Sequence, residues 1–187
     1  MADTTEAAIF DRYLREHHGV HADLLEHAST NRGNNVSNTL ALLTAHNITH
    51  DRILIIQDAS MQRRMDAGFR LLAPQIRVVN FAAHRTHLHQ TSSGELGFRS
   101  PPAGMWPVHQ YVSLLMGEIP RLTDDPGGYG PAGKQFIAHV DVPEPVTRAH
   151  RDLLSAGYLS RTVQVHDQRP MVGDPSTRGT DLHDPAQ

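Results

Sequence analysis

Two polar turns hold the residues whose types and spacing suit chemistry. The first is Glu26-His-Ala-Ser29-Thr30-Asn31-Arg32-Gly-Asn-Asn35, and the second is Gln57-Asp58-Ala-Ser60-Met-Gln62-Arg63-Arg64. The guanidinium groups of Arg32, Arg63 and Arg64 present forked donors that match a carboxylate or phosphate. Ser29, Thr30, Asn31, Asn35, Gln57 and Gln62 add the neutral donors and acceptors that orient such a group. Glu26 and Asp58 are the carboxylates able to serve as general acid or base, provided burial moves a pKa toward neutrality. Together these residues suit a small anionic or nucleotide-like ligand.

Plainer readings stand beside this one. Arg63 and Arg64 fall in or near the first turn of a helix, where the dipole disfavours each cation by roughly 0.3–1 kcal/mol. Asp58 and Asp66 are close enough in sequence to offset them, and a bound anion would do the same. Ser29, Thr30 and Asn31 also read as helix caps, each worth about 1 kcal/mol.

Two further motifs carry less. Gly128-Tyr-Gly-Pro-Ala-Gly133-Lys134-Gln135 nearly spells a phosphate-binding loop, but Gln135 stands where a magnesium-holding Ser or Thr belongs. The run that follows reads as a strand where that loop needs a helix. His84, His87 and His89 lie among fourteen histidines and suit a transition metal by type. Their spacing matches no defined metal site, so no metal ligand is assigned. No nucleophile elbow or Ser-His-Asp order is present.

The elements that position the two turns alternate in type. Thr4 or Thr5 caps a first helix carrying Ile9, Phe10, Tyr13 and Leu14, which Gly19 stops. Asp23–Glu26 reads as a very short strand. A helix bearing Val36, Leu40 and Leu43 follows the first turn and ends near Asn47. Arg52–Gln57 is a short, β-branched apolar run of the kind that forms a buried parallel strand. Asp58 or Ser60 then caps a helix with Met61, Met65, Phe69 and Leu72 on one face, ended by Pro74. Gln75–Phe81 reads as a second buried strand, 82–104 as a long loop, and Trp106–Ile119 as the most apolar helix. Phe136–Val142 reads as a strand, Pro143–Ala156 as a closing helix, and the stretch beyond Gln164 as a disordered tail. Strands alternating with helices point to an α/β domain with a mainly parallel sheet, placing both turns at its carboxyl edge.

Composition narrows the function classes. The 187 residues are 39% hydrophobic and 20% charged, which suits one domain over 1–160 followed by a tail at 161–187. A net charge of −3 gives no electrostatic footprint for nucleic acid. No run approaches the roughly 20 apolar residues of a transmembrane span, and no signal-peptide pattern opens the chain. With no cysteine, disulfides and thiolate chemistry are excluded, and a cytoplasmic protein is the simplest reading.

Several stretches are similar to the YdcF/SanA/ElyC-like family of bacterial proteins. Glu26-x-x-Ser29-Thr30-Asn31-x-Gly33-x-Asn35 resembles one signature of that family. Ile55-Ile56-Gln57-Asp58-x-x-Met61-Gln62-Arg63-Arg64 resembles its strand–loop–helix segment, closest to the YdcF branch. Met116–Leu122, Gly128-Tyr-Gly-Pro131 and Phe136–Pro143 also resemble that branch, and Thr5-Glu6-Ala7 matches the family's helix start. The likeness spans roughly residues 4–157. It implies a Rossmann-like three-layer α/β/α sandwich with polar loops at one sheet edge. It further implies S-adenosylmethionine as a candidate ligand and a link to cell-envelope metabolism.

Two departures qualify the resemblance. Arg32 and Asn34 stand where the family has threonine and glutamate, which removes a candidate acid and favours an anion over a metal. The family also opens with a strand–helix–strand unit, whereas this chain begins at the helix after it. The resemblance therefore implies a sheet incomplete at its N-terminal side, or one whose cover comes from a neighbour in a homo-oligomer. A non-catalytic regulatory protein with a vestigial pocket is the competing reading.

Overall fold

A computed structural model describes residues 5–29 and 32–158, without the side chains of residues 32 and 33. The 161–187 tail lies outside the described residues. Within them the chain is mixed α/β, with five helices, a two-stranded parallel sheet and a short antiparallel hairpin. Among the described residues no helix is long and apolar enough to cross a membrane.

The centre is a strand–helix–strand unit. Arg52–Asp58 forms β1, Ala59–Leu72 forms the helix α3, and Arg77–His84 forms β2, parallel to β1. Asp58 is the N-cap of α3, its side chain accepting from the Ser60 N–H, so the helix opens before Met61. The strands pair in register from Arg52↔Arg77 to Gln57↔Ala82. An irregularity then sets Asp58 opposite His84 rather than Ala83. Such a bulge re-aims side chains at the end of a ladder.

Earlier in the chain, Glu6–His18 forms α1, with Thr5 as its N-cap and Gly19 at φ 65° as its C-cap. A left-handed residue there favours glycine. Arg32–Ala45 forms α2. Val36 and Leu40 of α2 pack with Ile55 and Phe69, and a Cβ on Gly68 would come 3.2 Å from Val36 Cγ2. That close approach seats α2 beside α3 on one face of the sheet.

Helix α4, Val108–Leu122, packs on α3 rather than on the sheet. It begins after Pro107, which serves as N-cap, and runs through Pro120. Proline has no N–H to give the carbonyl four residues back. That carbonyl belongs to Met116, and it is instead within 3.1 Å of His150 Nε2 on α5, Glu144–Ser155. The acceptor that Pro120 leaves open thereby ties α5 to α4. Between α3 and α4, Arg64 donates from Nε and Nη2 to the two Glu118 oxygens at 2.6 and 3.1 Å. Arg121 adds a third donor at 3.1 Å, and Glu118 is 2% exposed.

Several expectations change. Asp23–Glu26 has no strand; the Glu26 carboxylate bonds to the backbone just beyond it and shapes a turn. Phe136–Val142 is no strand either. Its amides are spent elsewhere: Phe136 and Ile137 donate to the Tyr129 carbonyl and Ala138 to that of Ala67. Ile137 and Val140 are buried with Ala67 and Leu122, at a spacing a ladder would not give. The 82–104 loop contains a hairpin of β3, Leu88–Gln90, and β4, Leu96–Phe98.

The sheet also has fewer covers than a three-layer arrangement supplies. α2 and α3 lie on the side of Ile53, Ile55 and Val78, while Leu54, Ile56, Val79 and Phe81 on the other side stand exposed. The strands expected to be buried are thus covered on one face.

Removing one partner of a buried ion pair leaves the other charge unpaired and costs about 3–5 kcal/mol. Glu118→Ala is expected to lose that much in urea unfolding, far more than Glu16→Ala on the exposed surface of α1.

Candidate functional site at the carboxyl edge of the sheet

The bulge that ends the β1–β2 ladder gathers a polar cluster. Asp58 Oδ1 accepts from the Ser60 amide at 2.8 Å, and Oδ2 lies 2.7 Å from His84 Nδ1. The Tyr111 hydroxyl, from the first turn of α4, donates to Oδ1 at 3.4 Å. Burial alone would raise the Asp58 pKa, but the bonds from Ser60 and His84 outweigh it and the net direction is down. Burial, reinforced by the Asp58 charge, pushes the Tyr111 phenol up to about 12. Asp58 is therefore an ionised acceptor that orients the imidazole, with a proton on His84 Nδ1.

This arrangement aims the other imidazole nitrogen at buried space. His84 Nε2 has no hydrogen-bond partner among the described residues, and neither do Gln57 Nε2, Gln62 Oε1 or Thr86 Oγ1. All four belong to the last turns of the two strands, the segment just after β2, or the first turn of α3. Gln62 is held in place through its other atom, Nε2, which donates to Asn80 Oδ1 at 2.6 Å and the Ile55 carbonyl at 3.2 Å. Buried polar atoms without partners carry a desolvation cost of about 1–3 kcal/mol each. A ligand or water at this edge would relieve it.

The first polar turn closes on itself. Glu26 Oε1 accepts from the amides of Ala28 and Ser29 and from Asn38 Nδ2, while Oε2 accepts from the Ser29 hydroxyl. The Ser29 hydroxyl is the main cause that holds the Glu26 pKa down. Neither carboxylate is moved toward neutrality, so the condition set for an acid or base at Glu26 or Asp58 is not met. Asn35 is half-buried on α2. Thr30, Asn31 and the Arg32 side chain lie outside the described residues. Among the described residues, no hydrogen bond joins the Glu26 cluster to the Asp58 cluster.

The two arginines of the second turn separate. Arg64 is buried against the Glu118 carboxylate, so its partner is neither of the nearby aspartates nor a bound ligand. Arg63 donates to the Asp141 carbonyl at 3.2 Å. With Asp66, Arg70, His139, Val140 and Asp141 it lines an open polar cleft of about 320 Å³. Arg70 is forked between Asp66 Oδ2, at 2.9 Å, and the His139 carbonyl, at 3.1 Å. His139 lies 3.1 Å from Asp141 and 3.0 Å from Asp124, and those two carboxylates raise its pKa, Asp141 first.

The glycine-rich loop serves packing. A Cβ on Gly128 would sit 2.0 Å from the Thr123 carbonyl oxygen, and one on Gly133 would sit 2.3 Å from that of Asp125. No helix follows Lys134, whose ammonium lies over the Tyr129 ring. Among the described residues no group of three or more His, Asp or Glu side chains is placed to hold a metal. His84 instead turns to Asp58.

Sequence reasoning noted His84 only as one of a trio and missed Tyr111 and Thr86. Alternation along β2 would have put His84 at the strand's end, but Tyr111 comes from 53 residues beyond Asp58 and carries no local signal. No family model matches the chain.

The raised His139 pKa sets a sign. Its pairing favours the folded state fully below the unfolded value, about 6.5, and that contribution is lost as pH rises through the folded value. In an NMR titration, His139 should show the raised midpoint. Asp141→Asn should lower that midpoint and flatten the matching part of the stability–pH curve.

Proposed function

We propose that the chain binds a small anionic or nucleotide-like ligand at the carboxyl edge of β1 and β2. The imidazole nitrogen it would meet there is His84 Nε2. The observation that carries this reading is the set of buried, unpartnered polar atoms on Gln57, Gln62, His84 and Thr86. The set mixes donors with acceptors, which a nucleoside complements better than a bare anion does. The opening of a helix at the same edge favours negative charge on the ligand. The resemblance to the YdcF branch adds S-adenosylmethionine to the candidates, and the parallel β1–α3–β2 unit supports the reading of a Rossmann-like sandwich. In this reading Arg63 and Arg70 contribute through the neighbouring cleft and Arg64 acts as a structural residue.

A second reading, a regulatory protein that binds without turnover, draws on one observation. Both candidate carboxylates are held ionised, so neither is poised to give up a proton near pH 7.

The test is thermal shift and calorimetry with nucleotides, S-adenosylmethionine and sugar phosphates. A ligand selective for the folded state stabilises by about 2.7 kcal/mol at a hundredfold excess over Kd. His84→Asn retains a donor toward Asp58 and removes Nε2, so it should weaken the bound ligand at least tenfold with little change in the unliganded Tm. Arg63→Ala should weaken it less. The opposite order would move the site to the Arg63 cleft, and no shift with any of the three classes would overturn the reading. Turnover of a bound ligand would decide for an enzyme over a regulator.

A further inference from the structure

Two apolar surfaces among the described residues lie uncovered. On the sheet, Leu54 and Ile56 of β1 are 56% and 60% exposed, and Val79 and Phe81 stand beside them on β2. Parallel sheets are almost always covered on both faces, and β1 is apolar at successive positions, the pattern of a strand with two covered faces. On α1, Ile9, Phe10, Tyr13 and Leu14 are exposed, Phe10 at 61%. These form one stripe at helical spacing. Asp11, on the opposite side, is the one buried residue of the helix and bonds to Arg15 and the Ala22 amide. Among the described residues α1 makes no contact with any other helix or strand.

We propose that two copies of this chain pair by exchanging α1, the stripe of each covering the bare sheet face of the other. Spacing, charge and area all fit. Residues four apart on a helix rise about 6 Å, and residues two apart on a strand rise about 6.6 Å. Glu6, Phe10 and Leu14 can therefore sit over the levels of Arg52, Leu54 and Ile56 in turn. That register sets Glu6 against Arg52 and Arg77, which are paired across the ladder at one end of the face. The reverse direction would bring Arg15, His17 and His18 of the last turn to the same arginines.

About half of each large side chain is uncovered, on the order of 100 Å² apiece. Eight side chains per contact and two contacts per pair give roughly 1,600 Å², the size of a standard stable interface.

The second copy is favoured over the chain's own α1 by the way the N-terminal segment is tied. Glu26 and Ser29 bond to Asn38 on α2, which lies on the covered side of the sheet. Thr5 is hydrogen-bonded to His27, and Asp11 holds the Ala22 amide. These bonds tie α1 to the segment that leads into α2, which enters the fold on the covered side of the sheet.

The test combines mass with cross-linking. Light scattering and sedimentation across a concentration series should give a dimer for the native chain. Phe10→Glu and Phe81→Glu should each give a monomer, with a Kd at least tenfold weaker and an unchanged far-UV spectrum. Because the chain has no cysteine, introduced pairs are unambiguous. A mixture of Tyr13→Cys chains with Ile56→Cys chains should oxidise to a covalent dimer that neither forms alone. Three results would overturn the proposal. One is a monomer at every concentration, and another is a dimer that survives both glutamate substitutions. The third is a Tyr13→Cys/Ile56→Cys double variant that closes within one chain, which would make the chain's own helix the cover.

Discussion

The buried contact of Arg64 with Glu118 fixes how the two halves of this fold meet. Taking both charges out of water costs several kcal/mol per ion. The cost is tolerated because two of the three guanidinium nitrogens meet both carboxylate oxygens and Arg121 adds another donor. A forked bond of this kind accepts little sliding, so it sets the register of α3 against α4. Everything α4 contributes then follows from that register. Its first turn brings Tyr111 to Asp58, and its Met116 carbonyl meets His150 on α5. The pair also decides which of two adjacent arginines can serve chemistry, since Arg64 is consumed and Arg63 is left facing the cleft.

Asp58 links stability to the candidate site in the same direct way. One oxygen caps α3 and the other orients His84. The cap keeps the carboxylate ionised, and an ionised carboxylate makes His84 Nδ1 the donor, which leaves Nε2 as the buried nitrogen without a partner among the described residues. A one-residue irregularity in the ladder is what makes this geometry available. With regular pairing Asp58 would face Ala83, which has no polar side chain.

What could be read from the sequence follows the range of the interactions. Thr5, Gly19 and Asp58 act on residues within one helical turn, so the ends of α1 and the start of α3 are written locally. The β-branched runs of β1 and β2 are legible for the same reason. The partner of Arg64 lies 54 residues away, and nothing beside Arg64 distinguishes Glu118 from Asp66. Phe136–Val142 misleads because its apolar spacing suggests a ladder while its amides find the Tyr129 loop and α3. In the candidate site, Asp58, Gln57 and Gln62 could be picked out because they border a strand–helix junction. The bulge that recruits His84 and the turn of α4 that supplies Tyr111 could not.

The bare face and the polar edge obey one rule of strand geometry. Alternation sends Ile53, Ile55 and Gln57 to the side of α2 and α3, and Leu54 and Ile56 to the other. A cover laid on the second side therefore leaves Gln57 with its buried, unpartnered amide where it is. The sequence of β1, apolar at consecutive positions, carries a demand for burial on both sides that one layer of helices meets only by half. The ladder, α2 and α3 complete the first side, and the second is left with its apolar side chains exposed. If the cover is another copy, stability becomes a function of concentration, whereas the geometry at the carboxyl edge does not.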